Sequence, residues 1–137
     1  MTTRGNISHD RRGASAVEFA LIVPVLLAFV FLLIEGARLE WSQQALQQVA
    51  SETARCYALG APGCETAQAT QIFAVKLARD RGISVAENAV AVARNQRCHD
   101  VDGMSMVTIQ VPSAIETSLL PRSLSTLKAS SCFIAPS

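Results

Sequence analysis

Residues 14–34 read ASAVEFALIVPVLLAFVFLLI, about twenty-one residues with one charge, Glu18. At roughly 1.5 Å of rise per residue, a helix of that length spans about 30 Å, the thickness of a bilayer's hydrocarbon core. A buried helix of a soluble domain is the competing reading. It fails on size: so small a chain lacks the mass to wrap a helix that is apolar all round. Pro24 falls inside the run. Membrane helices accommodate an internal proline through a local adjustment of the backbone.

The flanks of the run give it a direction. Arg4, Arg11 and Arg12 precede it, and no Lys or Arg follows until Arg38. Positive charge stays on the cytoplasmic side, so the sequence predicts a cytoplasmic N-terminus and a C-terminal part across the inner membrane. A cleaved signal peptide would have an apolar core of about 7–15 residues and a small-x-small cleavage site. The exit here reads IEGARLE, with Glu35 two residues before Ala37, and makes a poor site. The expected organisation is a basic leader at 1–13, a membrane helix at 14–34 and an extracytoplasmic domain at 35–137.

Glu18 stands out within this segment. A charged group at mid-bilayer costs roughly 2.5–3.5 kcal/mol on insertion scales, and less near an edge. Glu18 lies about one turn in, so a tolerated headgroup-level charge is the plain alternative to a functional one. Its surroundings favour function. Gly13-Ala14-Ser15-Ala16-Val17-Glu18-Phe19, behind two arginines, resembles the prepilin-peptidase site of type IV pilins. There a leader ending in Gly is removed and Glu occupies the fifth mature position. By that resemblance, cutting between Gly13 and Ala14 would create an α-amine on Ala14. A neighbouring subunit could present its amine to Glu18, fixing axial register. Burying the pair also costs desolvation, so its effect is on specificity more than on stability.

The wider stretch, RRGASAVEFALIVPVLL followed by IEGARLEWSQQALQQVASETAR, resembles the TadE-like family of tight-adherence (Flp) pilus systems. The resemblance covers about the first fifty-five residues and includes the Glu35/Arg38 spacing at the helix exit. One departure is that the family's exit often carries an aromatic before Gly-Arg, whereas Gly36-Ala37-Arg38 stands here. The resemblance implies a minor pilin or pseudopilin with a pilin-like α+β fold. It implies membrane lipid, other pilins, the pilus assembly platform and a prepilin peptidase as partners, with adhesion and biofilm formation as outcomes.

Beyond the apolar run the helix is expected to continue. Leu39, Leu46, Val49, Ala50, Thr53, Ala54 and Tyr57 recur at helical spacing, with Gln43, Gln44, Gln47, Gln48 and Glu52 largely between them. Gly60, Pro62 and Gly63 stop it. A second helix is expected over 65–81, with Glu65 at its positive end, Lys76, Arg79 and Arg81 at its negative end, and Gly82 as cap. Ala69, Ile72, Phe73 and Leu77 make its candidate buried face. Strands are expected at 88–94, 104–111 and 124–134, the last after a Pro121 breaker. In the second, Val107, Ile109 and Val111 oppose Met104, Met106 and Thr108. Asp102-Gly103 supplies a turn signal between the first two, within a connection longer than a tight hairpin. The fold class is α+β, a long helix, a second helix and a small antiparallel sheet.

Cys56, Cys64, Cys98 and Cys132 all fall on the outer side. An even number in an oxidising compartment favours two disulfides, and three pairings exist. Cys56 and Cys64 bracket the turn at 57–63, which favours closing that loop and leaves Cys98 with Cys132. A metal site is disfavoured: C-x-x-C does not occur and only His99 lies among the cysteines, as a solvated loop residue beside Cys98. No catalytic constellation accompanies His99, and His9 belongs to the leader, so neither an enzyme nor a cofactor is expected. Net charge is +1 and aromatic content 5%, which argues against a nucleic-acid surface. Glu35 and Arg38 are a candidate interfacial pair. The alternative to a pseudopilin is an unprocessed, single-pass periplasmic scaffold or binding protein.

Overall fold

The computed structural model describes residues 11–113 and 126–135, with side chains from Ser15 onward. Expectations resting on 1–10, including Arg4 and His9, or on 114–125, including Pro121 and the Leu124 strand start, lie outside the described residues. The chain forms two units, Met1–Arg38 and Leu39–Ser137. Helix α1, Arg11–Leu59, supplies residues to both. The elements that follow are α2 (Ala67–Asp80), a short 3-10 turn (Glu87–Ala89), and strands β1 (Val90–Cys98), β2 (Val101–Pro112) and β3 (Thr126–Ile134). The architecture is α+β.

Both helices end by the same device. Gly60 adopts φ +58, and the N–H groups of Gly60 and Ala61 donate to the carbonyls of Tyr57 and Cys56. Gly82 adopts φ +77, and the N–H groups of Gly82 and Ile83 donate to Arg79 and Ala78. Each is a Schellman closure, in which glycine takes the left-handed position without a Cβ penalty. The start of α2 differs from expectation. Thr66, not Glu65, is its N-cap, and the Thr66 hydroxyl accepts from Ala69 N–H at 3.1 Å. Glu65 instead accepts from Gly63 N–H in the preceding turn.

The second unit has its core where α1, α2 and the sheet meet. Leu46, Val49, Ala50 and Ala54 of α1 join Ala74 and Ala78 of α2 and Val90, Val107, Ile109 and Ala129 of the sheet, all essentially inaccessible. The α1 stripe read from periodicity is the buried one, with Leu39 half-buried. The face of α2 is corrected. Thr70, Ala74 and Ala78 are buried, Phe73 and Leu77 only half so, and Ile72 is exposed. Small residues at i, i+4 and i+8 make the inward stripe, so side-chain size is a poor guide to this helix.

The sheet is an antiparallel meander in the order β1-β2-β3. In β2, Ser105, Val107, Ile109 and Val111 are buried while Met104, Met106 and Thr108 are half-buried, the alternation of a strand with one core face. The β1–β2 connection is corrected. Both strands run further than expected and Cys98 pairs with Val101, which leaves a two-residue turn at His99-Asp100. Those residues have φ +48 and +66, as a type I′ turn requires at both central positions. The Asp102-Gly103 signal marks a bulge. The register gains a residue on β1 between Ala93 and Gln96, where Asn95 has φ +55, and one on β2 between Met104 and Val101, where Gly103 has φ +81. The two bulges offset one another.

β3 is an edge strand, and α1 covers part of its edge. Gln43 Nε2 donates to the Lys128 carbonyl and Gln47 Nε2 to the Ser130 carbonyl, both at 2.9 Å. Glutamines four apart on a helix thus meet carbonyls two apart on a strand. An open edge is a template for unwanted pairing, and a helix laid along it removes that hazard.

Candidate functional site

The first unit carries the residues singled out for processing and assembly. Gly13 and Ala14 fall in the first turns of α1. Ala14 and Glu18 are four residues apart, so their positions share one helix face. Glu18 is exposed, as is Phe19 beside it. From Ser15 to Ile34 every side chain is exposed except the half-buried Val23. Phe19, Leu21, Val25 and Leu32 each leave about 70% of their surface open. An apolar helix of this length with no cover among the described residues is able to cross a membrane. Pro24 lies inside it, with helix on both sides.

At the end of this unit Arg38 Nη1 stands 3.6 Å from Glu35 Oε1. The side chains are 77% and 60% exposed, so the pair contributes at most a few tenths of a kcal/mol.

In the second unit the structure joins Cys56 to Cys64 and Cys98 to Cys132. The first bond ties the end of α1 to the following turn. The second ties the hairpin end to β3. With all four sulfurs in disulfides, none is a thiolate free to ligate a metal. His99 is exposed at the hairpin tip, where Arg97 lies 3.5 Å from Asp100 and 3.9 Å from Asp102.

Three contacts here escaped the sequence reading. The glutamine rungs on β3 are one; the signal available was the i, i+4 spacing of Gln43 and Gln47. Arg94 is another: its guanidinium lies 4.3 Å from the Tyr57 ring centroid and donates to the Tyr57 carbonyl, a cation–π clamp between β1 and α1. The third is Arg81, which donates to Gln48 Oε1 at 2.6 Å and Glu52 Oε1 at 2.5 Å, tying the end of α2 to α1.

The helix with the exposed apolar run and the Gly13–Glu18 spacing also carries a match to a known family. Residues 13–55 match the family model of TadE-like proteins. This stretch is similar to TadE-like proteins. The TadE-like segment is just under a third of the chain; it begins at Gly13 and ends four residues short of the end of α1. No curated protein and no solved structure matches the chain. The TadE-like segment therefore holds Glu18, Phe19, Glu35 and Arg38, while α2, the sheet and all four cysteines lie beyond it.

Proposed function

We propose that this protein is a minor pilin or pseudopilin that takes part in assembling a tight-adherence (Flp) type IVb pilus. Its proposed place is the bacterial inner membrane, crossed once, with the N-terminus cytoplasmic and the head in the periplasm. A prepilin peptidase would cut after Gly13 and so remove the basic leader. The proposed role is structural, serving adhesion and biofilm formation, and not enzymatic. Its partners would be membrane lipid, other pilins and the assembly platform.

The observation that carries this reading is the TadE-like match beginning at Gly13. Glu18, the fifth residue after that glycine, is the only charge in an otherwise apolar run. A carboxylate there needs a cationic partner, and the α-amine of a processed neighbour supplies one at matching depth. The exposure of the run on all sides supports a helix that exchanges lipid contacts for contacts with other helices.

The test is the mature N-terminus, read by mass spectrometry from cells with and without an active prepilin peptidase. The expected chain begins at Ala14 when the peptidase is active. A chain that keeps residues upstream of Gly13 under those conditions returns the protein to an unprocessed, anchored scaffold. A Glu18→Gln variant is expected to insert in the membrane and to assemble poorly. Normal pilus assembly by that variant would reject the pairing role.

A further inference from the structure

We propose that the Trp41 end of the head docks on the headgroup layer of the bilayer, with Trp41 as an interfacial anchor and Lys128 facing anionic lipid. This rests on the reading that the apolar run spans that bilayer. Trp41 is the only tryptophan in the chain, and 71% of its surface is exposed. A tryptophan side chain has roughly 150–250 Å² to bury, with one N–H donor at its rim, which suits a boundary between apolar and wet surroundings. Within the second unit that surface is left largely uncovered.

The neighbours of Trp41 fit the same surroundings. Ser42, the next residue, lines an open groove of about 350 Å³ with Ile83, Val111, Pro112 and Leu127. Gln43 holds the Lys128 carbonyl, which brings the exposed Lys128 to this end of the head. An exposed indole, a lysine and an apolar-lined groove thus share one end. A lysine can lay its stem along apolar surface and keep its ammonium among anionic headgroups.

The tether selects lipid as the occupant. Trp41 follows Ile34, the last residue of the apolar run, by seven positions. Seven residues span at most about 25 Å when extended and about 10 Å as helix. The polar layers outside the core are each about 5–7 Å deep. Residues 34–41 lie within helix α1, so the shorter figure applies, and with the run in the core Trp41 starts no more than about 10 Å from the core's edge, within a side chain's reach of the polar layer. Glu35 and Arg38, the polar pair between run and indole, belong at the same level.

The sole tryptophan is its own reporter. The full chain is reconstituted into phosphatidylethanolamine/phosphatidylglycerol vesicles carrying bromine either near the ester end or deep in the acyl chain. Flotation is measured on the same samples. The expected result is flotation with the vesicles, and Trp41 fluorescence quenched several-fold more by shallow bromine than by deep. Lys128→Glu should abolish the gain in shallow quenching that phosphatidylglycerol gives over phosphatidylcholine. A chain that floats while neither bromine quenches Trp41 overturns the docking and leaves the membrane span standing. Emission that follows protein-to-lipid ratio and ignores bromine overturns it in favour of a second copy covering the indole. A chain that does not float overturns both readings.

Discussion

The two stretches of α1 are built for different solvents. From Ser15 to Ile34 apolar residues stand on every side of the helix, and all but Val23 are exposed. From Leu39 onward one stripe is apolar and buried, with Leu46, Val49, Ala50 and Ala54 at zero accessibility, and glutamines flank it. Helix propensity does not distinguish the two stretches; the angular distribution of hydrophobicity does. An apolar circumference asks for a medium without water, whereas an apolar stripe asks for a protein surface. The TadE-like match covers the first stretch and most of the second.

That contrast breaks most sharply at paired leucines. Leu46→Ala should cost the head about 2–5 kcal/mol, the range for a buried leucine truncated in a packed core. Leu27→Ala, in the exposed stretch, should leave head unfolding unchanged. Thermal unfolding of the full chain in detergent micelles reads both, and equal effects would erase the distinction. Within the head, the disulfides should rank by the chain they close. The sequence separations are 34 for Cys98–Cys132 and 8 for Cys56–Cys64. Loop-closure entropy gives losses of about 3.8 and 2.5 kcal/mol when each pair is replaced by serines. Denaturant midpoints of the two double variants test that order.

Polarity should act in the opposite sense in the two stretches. Leu27→Arg places a charge among exposed apolar side chains and should reduce insertion by about 2.5–3.5 kcal/mol. Vesicle flotation would show the loss, with both disulfides still formed. In the buried stripe, polarity is already present and removing it should help. Thr53 is inaccessible, and its hydroxyl is the one buried side-chain polar atom without a hydrogen-bond partner among the described residues. Thr53→Val keeps the shape and should raise stability by about 1 kcal/mol, visible as a small increase in Tm.

Much of this was legible in the chain because period and charge carry it directly. The apolar run, the α1 stripe and the alternation in β2 are periodic signals, and Gly60 and Gly82 are local terminators that work whatever packs around them. What escaped depends on contacts distant in sequence. The face of α2 is set by which residues are small enough to sit in the core, so Thr70, Ala74 and Ala78 displace the larger Ile72. The hairpin turn was misplaced because Asp102-Gly103 serves a bulge as well as it would serve a turn, while His99-Asp100 takes left-handed backbone without glycine. Trp41 reads as part of an amphipathic helix until its exposure is known. Gly13 and Glu18 stand out in the sequence through their spacing together with the basic leader and the apolar run, and their part in assembly is a proposal that the fold does not test.

The two glutamine rungs also act as a vernier. Four residues of helix advance about 6.0 Å and two residues of strand about 6.8 Å. The scales slip by about 0.8 Å per rung, so two divisions coincide well and a long series would not. The next position on the scale is Ser51, too short to reach across, and its hydroxyl turns back to the Gln48 carbonyl. Read this way, the edge of β3 is graduated. If α1 slides along it by half a turn, both amides fall between marks, and coincidence returns only after about 6.8 Å, roughly a turn and a quarter. The helix therefore has discrete settings against the sheet, and the glutamines hold one of them.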